Sequence, residues 1–162
     1  MSYKNSNHFC TCKEYPEEIK YFKEDWFCEN IIITEDKPDI GNICDIFINP
    51  IVKNTILIDA EDGLSNEGQY SSRKKLLVEI LLQIKINYVI DEPSQSLFSI
   101  NHETIKSMFI VVPNEINSKN IKDLYKSCRI LVSPFVEHTY TKEITPRCFN
   151  LCILLFLDAQ VC

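Results

Sequence analysis

The chain has 162 residues, the length of one domain with a short tail. Hydrophobic residues make up 45% of it and aromatic residues 10%, which is enough for a packed core and excludes a globally disordered chain. The formal net charge of −6 argues against a nucleic-acid-binding protein, because such a protein needs a basic surface to displace the counterions of the phosphates.

The amino-terminal residues predict a polar arm. No apolar h-region follows Met1, and the longest apolar run of the chain, "CILLFL", is far shorter than a membrane span. We therefore expect neither a secretory signal nor a membrane partner. Residues 1–25 are mixed in charge and form the predicted arm, with room for a short helix over "PEEIKYFKEDW". The folded module is predicted to span residues 26–162.

The clearest strand pattern lies in "LLVEILLQIKINYVID". Every second side chain is apolar, while the side chains between them include Glu79, Gln83, Lys85 and Asn87. The apolar series is Val78, Ile80, Leu82, Ile84, Ile86, Tyr88 and Ile90. A period of two predicts a long, half-buried strand. A helix is the alternative, because "LLVEILL" taken alone also fits a helical period.

Further strand-like segments lie on both sides of this one. The turn "DEPS", with Pro93, leads into "QSLFSINHETIKSMFIVVP", and so short a turn predicts an antiparallel hairpin. Two strand-like pieces surround Pro50 in "ICDIFINPIVKNTILID", and "CRILVSPFVEHTYTKEI" contains Pro134 at a break or an edge. We predict an all-β fold, an antiparallel β-sandwich or a barrel-like module with an N-terminal arm.

The last strand-like segment, "CFNLCILLFLDA", is apolar on both faces. One face holds Phe149, Leu151, Ile153, Leu155 and Leu157. The other face holds Cys148, Asn150, Cys152, Leu154 and Phe156. Such a strand is either central and covered twice within its own chain, or its outer face meets another subunit. Cys148, Asn150, Cys152 and Leu154 are the candidate interface residues.

The 8 cysteines are unexpected in a chain without an export signal, because disulfides are rare in a reducing cytosol. They could be buried apolar thiols, metal ligands, catalytic groups or crosslinking groups that react once the surroundings become oxidising. Burial suits Cys128, Cys148 and Cys152, which lie in strand-like segments. It does not suit Cys10 and Cys12, in the polar arm, or the terminal Cys162.

Alternative chemistries have weak patterns. A zinc site from His8, Cys10, Cys12 and Cys28 lacks the paired Cys-x2–4-Cys spacing of structural zinc sites. A catalytic cysteine would need His102 or His138 beside Cys128 or Cys148. The turn with Asp59, Glu61 and Asp62 lacks the spacing of a calcium loop, and "GLSNEGQ" lacks that of a phosphate-binding loop. We expect no catalytic residue, cofactor or metal.

Four stretches follow one another in order over residues 33–159: "EDKPDIGNI", "GLSNEGQYSSRKKLLVEILLQIKINYVIDEPSQSLFS", "FIVVP" and "VSPFVEHTYTKEITPRCFNLCILLFLDA". In this combination they resemble the SPOCS domain family, spore coat-associated modules of endospore-forming clostridia and their relatives. The resemblance implies a β-rich module in spore envelope assembly. Some members also carry LysM modules that bind peptidoglycan; this chain has no room for one and has extra cysteines near both termini.

The resemblance therefore implies a structural spore-surface subunit of the coat, exosporium or an appendage. Such a chain would be made in the mother-cell cytoplasm, would assemble with itself into a layer or fibre, and would be locked by intermolecular disulfides after lysis. Candidate crosslinking residues are Cys10, Cys12, Cys28 and Cys162. The alternatives are an adaptor that docks another spore envelope protein without polymerising, and a small thiol or metal-dependent enzyme.

Overall fold

The computed structural model describes residues 15–59, 63, 64, 66, 68, 70, 71 and 74–162. Six long strands form the body of the molecule: β1 Tyr21–Ile32, β2 Asn42–Asp59, β5 Lys74–Val89, β6 Leu97–Val112, β9 Ile130–Thr145 and β10 Cys148–Val161. The remaining elements are short: β3 Gly63–Leu64, β4 Tyr70–Ser71, β7 Glu115–Ile116, β8 Lys119–Asn120 and the helix α1 Ile121–Lys126.

The long strands form two three-stranded antiparallel sheets that share one hydrophobic core. The front sheet has the order β1-β10-β9, and the back sheet has the order β2-β5-β6. The edge strand β1 of the front sheet lies beside the edge strand β6 of the back sheet, and β9 lies beside β2. The prediction of an all-β fold with antiparallel sheets is confirmed.

The core lies between the two sheets and follows the alternation of the sequence. The even-numbered side chains of β5 from Leu76 to Tyr88 are all buried and belong to one cluster with the odd-numbered side chains of β10. The strand interpretation of "LLVEILLQIKINYVID" is confirmed, and the helical alternative is wrong. The hairpin is also confirmed: β5 and β6 pair without a register shift across a turn in which the Gln95 N–H bonds the Glu92 carbonyl at 3.0 Å.

The two prolines within strands lie at sheet edges. Pro50 is in β2 opposite Leu82, and Pro134 is in β9 opposite Leu157. Proline has no N–H for a hydrogen-bond ladder, so an edge is the position where it costs least. Both strands also contain two register shifts, which β1 and β6 do not.

The structure corrects the predicted arm. No helix forms over "PEEIKYFKEDW"; instead β1 begins at Tyr21, so the folded module starts before residue 26. The segment before β1 lies against the front sheet, where the Tyr15 ring stacks on Phe135 with centroids 4.8 Å apart. The alternation of β1 is not evident in the sequence because the charged Glu29 faces the other sheet at the rim of the core, where it bonds Thr104 and Lys106.

Candidate functional site

A disulfide joins the first and the last long strand. Cys28 of β1 and Cys152 of β10 are directly opposite in the ladder, with Cα atoms 4.0 Å apart, and the chain between them spans 124 positions. The bond lies on the outward face of the front sheet, where Cys28 is exposed and Cys152 is half-buried. It fixes the edge strand β1 to the centre of its sheet.

This disulfide differs from two of the expectations for Cys28. The sequence favoured a free Cys28 that bonds between chains, and the alternative zinc site used it as a ligand; in the structure it is bonded within its own chain. A disulfide sulfur is not a thiolate, so this form of the protein has no zinc ligand at Cys28. Cys10 and Cys12 lie outside the described residues, as does His8, and their crosslinking role stays a prediction.

Four other described cysteines are free thiols. Cys44 and Cys148 are half-buried, whereas Cys128 and Cys162 are exposed. The expectation that Cys128 is buried in a strand is wrong: it follows α1 with a φ of 55°, and its N–H bonds the Tyr125 carbonyl at 3.0 Å. This left-handed conformation is a common way to end a helix, and the Cys128 thiol is exposed there.

The carboxyl-terminal cysteine is held close to the end of α1. The Cys162 N–H bonds the Arg129 carbonyl at 2.8 Å, and the Arg129 Nε bonds the Cys162 carbonyl at 2.6 Å. Since Arg129 follows Cys128 directly, the two exposed thiols belong to the same end of the molecule. Strand β9 begins there and pairs with the end of β10, so the sheet itself brings these distant positions together.

The proposed interface residues lie on the outward face of the front sheet. Cys148, Asn150, Cys152 and Leu154 are all half-buried on the central strand β10. Asn150 is fixed by a 3.0 Å hydrogen bond from its Nδ2 to the Asn30 Oδ1. Leu154 lies between Trp26 and His138, whose rings meet edge to face at 6.2 Å. Their role as an interface stays a prediction.

One end of this outward face is covered by the segment before β1. Tyr15 stacks on Phe135 and on Phe156, and its hydroxyl donates a 2.6 Å hydrogen bond to Glu137. Asp158, two residues beyond Phe156 on the same face, is only 1% exposed, and its Oδ1 has no hydrogen-bond partner in the described part of the chain. Burial raises the pKa of this carboxyl.

A polar cluster joins the two sheets at the β1–β6 rim. The Glu29 carboxylate of β1 accepts hydrogen bonds of 2.7 Å from Lys106 Nζ and Thr104 Oγ1 of β6, and its Oε2 lies 3.0 Å from His102 Nε2. Burial works against the ionised carboxylate, but the hydrogen bonds from Lys106, Thr104 and His102 outweigh it, so the pKa of Glu29 is lowered. The cluster is thus an ionised Glu29–Lys106 pair in which both carboxylate oxygens have hydrogen-bond partners.

The structure gives no support to a histidine–cysteine catalytic pair among the described residues. His102 is engaged with Glu29, and His138 packs against Trp26. The same residues contain no group of His, Cys, Asp and Glu side chains arranged to hold a metal ion. Asp59 forms an ion pair with Lys74, while Glu61 and Asp62 lie outside the described residues. None of the helices in the described ranges has the length and apolarity to span a membrane.

Comparison of the chain with protein-family models, with curated proteins and with solved structures finds no match.

Sequence reasoning missed both the Glu29 cluster and the Cys28–Cys152 pairing. A charged residue at an inward position of a strand is the available signal for the first, because it marks the rim of a core. The second has no signal of its own, since eight cysteines allow many pairings and only the strand register selects one.

Proposed function

We propose that this protein is a structural subunit of the spore surface that assembles with itself and is locked by disulfides between chains. The proposal rests on the resemblance to the SPOCS domain family and on the distribution of thiols. The observation that carries it is that the described chain combines one internal disulfide with two exposed free thiols, Cys128 and Cys162.

Exposed thiols suit a chain that is made reduced and oxidised later. A thiol reacts with a neighbour only if it is accessible and if a second sulfur comes within bonding reach. Cys128 and Cys162 are accessible on a framework of two sheets, and their fixed positions would give each contact between subunits a defined geometry. Cys10 and Cys12, two positions apart, are the proposed reacting thiols of the neighbouring chain.

The second candidate is an adaptor that docks another spore envelope protein without polymerising. The half-buried outward face around Leu154 favours it equally, because a face of that kind fits a different protein as well as a second copy. An enzyme is the third candidate, and it lacks a supporting observation: the described histidines are engaged with Glu29 and Trp26 rather than with a thiol.

Electron microscopy of the purified full-length protein separates these candidates. The chain is purified reduced, oxidised slowly, and inspected for ordered layers or filaments, while mass spectrometry with thiol labelling follows the bonds that form. Ordered arrays with disulfides between chains are the expected result. Discrete complexes that form only with spore extract would favour the adaptor, and arrays in which Cys128 and Cys162 stay free would remove the crosslinking role of these thiols.

A further inference from the structure

The two sides of the molecule differ in how their sheet edges are protected. On the side formed by β2 and β9, each strand contains a proline and two register shifts. In addition, Tyr125 of α1 donates a 2.9 Å hydrogen bond to the Thr55 carbonyl of β2. Proline, bulges and a covering element are the devices by which proteins prevent strand addition at an edge. These devices protect the β2–β9 side against the addition of another strand.

The opposite side, formed by β1 and β6, is less protected, although Lys37 Nζ covers the Ser99 carbonyl near the start of β6 with a 2.7 Å hydrogen bond. Neither strand contains a proline, and both pair with their neighbours without a register shift. Among residues 15–59 and 74–162, β1 pairs only with β10 and β6 pairs only with β5. Strand β6 runs regularly for 16 residues. A long, regular edge of this kind is a template for pairing with a further strand.

The backbone direction along β6 follows from Pro50. Since Pro50 has no N–H, it and Leu82 form a non-hydrogen-bonded pair, and the backbone of Leu82 is directed toward β6. Leu82 is opposite Thr104, so the backbone of Thr104 bonds to β5 and that of its neighbours points away. The Ser99 carbonyl supports this assignment. Ser99 is also an odd-numbered residue of β6, and its carbonyl accepts a 2.7 Å hydrogen bond from Lys37 Nζ, which is not part of the ladder with β5. The residues of β6 whose backbone N–H and carbonyl groups point away from β5 are therefore Asn101, Glu103, Ile105, Ser107 and Phe109.

The side chains of β6 also favour a contact. Ile105 is 64% exposed and Phe109 47% exposed on its outward face. Lys106 faces the space between the sheets, and an inward lysine at an edge normally opposes strand addition because burial would leave its charge unpaired. In this chain Glu29 pairs with Lys106 across the rim at 2.7 Å, so the charge already has its partner.

We propose that a second copy of this chain joins at the β1–β6 side, with β6 pairing antiparallel to β6 of the partner across a two-fold axis. This inference rests on the proposed self-assembly and specifies its first contact. The occupant is a second copy because the side presents two neighbouring edges, β1 from the front sheet and β6 from the back sheet. An isologous partner offers the same pair of edges in return, whereas a single extended peptide matches only one.

The test uses a proline at an outward position. Ile105→Pro removes an N–H that is not used in the ladder with β5, so the monomer keeps its hydrogen bonds while the edge loses a donor. Thr141→Pro is the matched control on β9. Pro134 and Thr141 are opposite Leu157 and Leu151, which are six positions apart on β10. Because backbone direction alternates along a strand, the N–H of Thr141 points away from β10, as the missing N–H of Pro134 would. Ile105→Lys is a second variant that keeps the N–H and places like charges at the contact.

Sedimentation velocity of the full chain, with free thiols alkylated so that no new disulfides form, reports the association. We expect the wild type and Thr141→Pro to dimerise with rising concentration, and both Ile105 variants to associate at least about tenfold more weakly. Amide hydrogen exchange should show added protection in β6 of the dimer. A monomeric wild type, equal dimerisation by the Ile105 variants, or protection of residues 1–14 together with β6, which would make the arm the occupant, each overturns the inference.

These outcomes are separate from those of the proposed function. Ordered arrays that form equally well with Ile105→Pro would keep the structural function and remove the β6 contact. A dimer that depends on Ile105 but never forms arrays on oxidation would do the reverse.

Discussion

Cys28 and Cys152 face each other on neighbouring antiparallel strands, with Cα atoms 4.0 Å apart, although 124 positions separate them in the chain. The disulfide therefore ties the beginning of the fold to its end. Strand β1 is an edge strand, and some of its contacts at the rim are polar, so the hydrophobic core holds it less firmly than β5 or β10. The disulfide strengthens the attachment of this strand to its sheet.

Replacing both cysteines with serine should lower the free energy of unfolding by about 2–4 kcal/mol, because a crosslink that closes a long loop restricts the unfolded chain. Urea unfolding followed by circular dichroism measures the loss. Reductant should lower the stability of the wild type to that of the Cys28→Ser, Cys152→Ser variant. Cys44→Ser is the control, since Cys44 is a free thiol and its replacement should leave the reductant effect in place. Equal stability of the wild type with and without reductant would contradict the prediction.

The strand pattern could be predicted from the sequence where one face of a strand is buried. In β5 the alternation is complete because the strand is central and its even side chains all enter the core. In β1 the alternation fails, because Glu29 faces inward at the rim, where Lys106 can reach it. A contact across 77 positions depends on how the sheets stack, and local periodicity contains no record of that stacking.

The outward face of β10 shows how far the candidate site could be predicted from the sequence. Its residues could be predicted from the alternation, and their half-buried state follows from the neighbouring strands β1 and β9. The disulfide partner of Cys152 could not be predicted, because it lies on β1, and the sequence did not indicate that β1 begins at Tyr21. The cover provided by Tyr15 was also missed, since a lone aromatic side chain in a polar segment does not indicate where it packs.

Asn150→Lys tests whether the outward face of the front sheet meets a neighbouring subunit. Asn150 hydrogen-bonds to Asn30 and is half-buried, so a lysine can extend to solvent in the monomer but would place an unpaired charge in a contact. We expect a normally folded variant that no longer forms assemblies in electron microscopy. Asn49→Lys, on the exposed face of the back sheet, is the control and should assemble. Assembly of Asn150→Lys like the wild type would remove this interface.

Replacing Cys10 and Cys12 together with serine tests the arm as the covalent connector. In an extended segment, side chains two positions apart lie on the same side, so both sulfurs could then react with the same neighbouring chain. The double variant should keep the fold but give assemblies that dissociate in hot detergent without reductant, whereas those of the wild type should need reductant. Gel electrophoresis of the treated assemblies measures this. A Cys128→Gly variant serves as a comparison, because glycine suits the φ of 55° and removes only that thiol. Double-variant assemblies as resistant as the wild type would exclude the arm.

Glu29→Gln should destabilise the protein at neutral pH by about 1–3 kcal/mol, because Lys106 would lose its charged partner at a half-buried position. The lowered pKa of Glu29 sets the pH dependence. The contribution of the ionised carboxylate is present above its unfolded pKa of about 4.3 and is lost as the pH falls through the lower folded pKa. Urea unfolding of both proteins across this range should therefore converge at acidic pH. A difference that is constant with pH would show that Glu29 acts by packing alone.

Asp158 should affect stability in the opposite direction. Burial raises the pKa of its carboxyl by more than a hydrogen bond with Gln160 lowers it, and Oδ1 has no hydrogen-bond partner among the described residues, so the ionised form is held at a cost in the folded state. The folded state then binds a proton more tightly than the unfolded state, and this group lowers stability as the pH rises above its unfolded pKa of about 3.9.

Asp158→Asn removes that charge while keeping the shape of the side chain, and we expect it to stabilise the protein by about 1–2 kcal/mol at pH 7. The gain should shrink as the pH falls toward the unfolded pKa, where the wild-type carboxyl becomes neutral. Urea unfolding at neutral and acidic pH measures both values. Asp45→Asn is the control, since Asp45 is half-buried on the back sheet, away from the aromatic cover. Loss of stability in Asp158→Asn at pH 7 would mean that the ionised carboxylate has a favourable role in the folded chain, and that the burial of Asp158 serves a contact rather than being a cost of the fold.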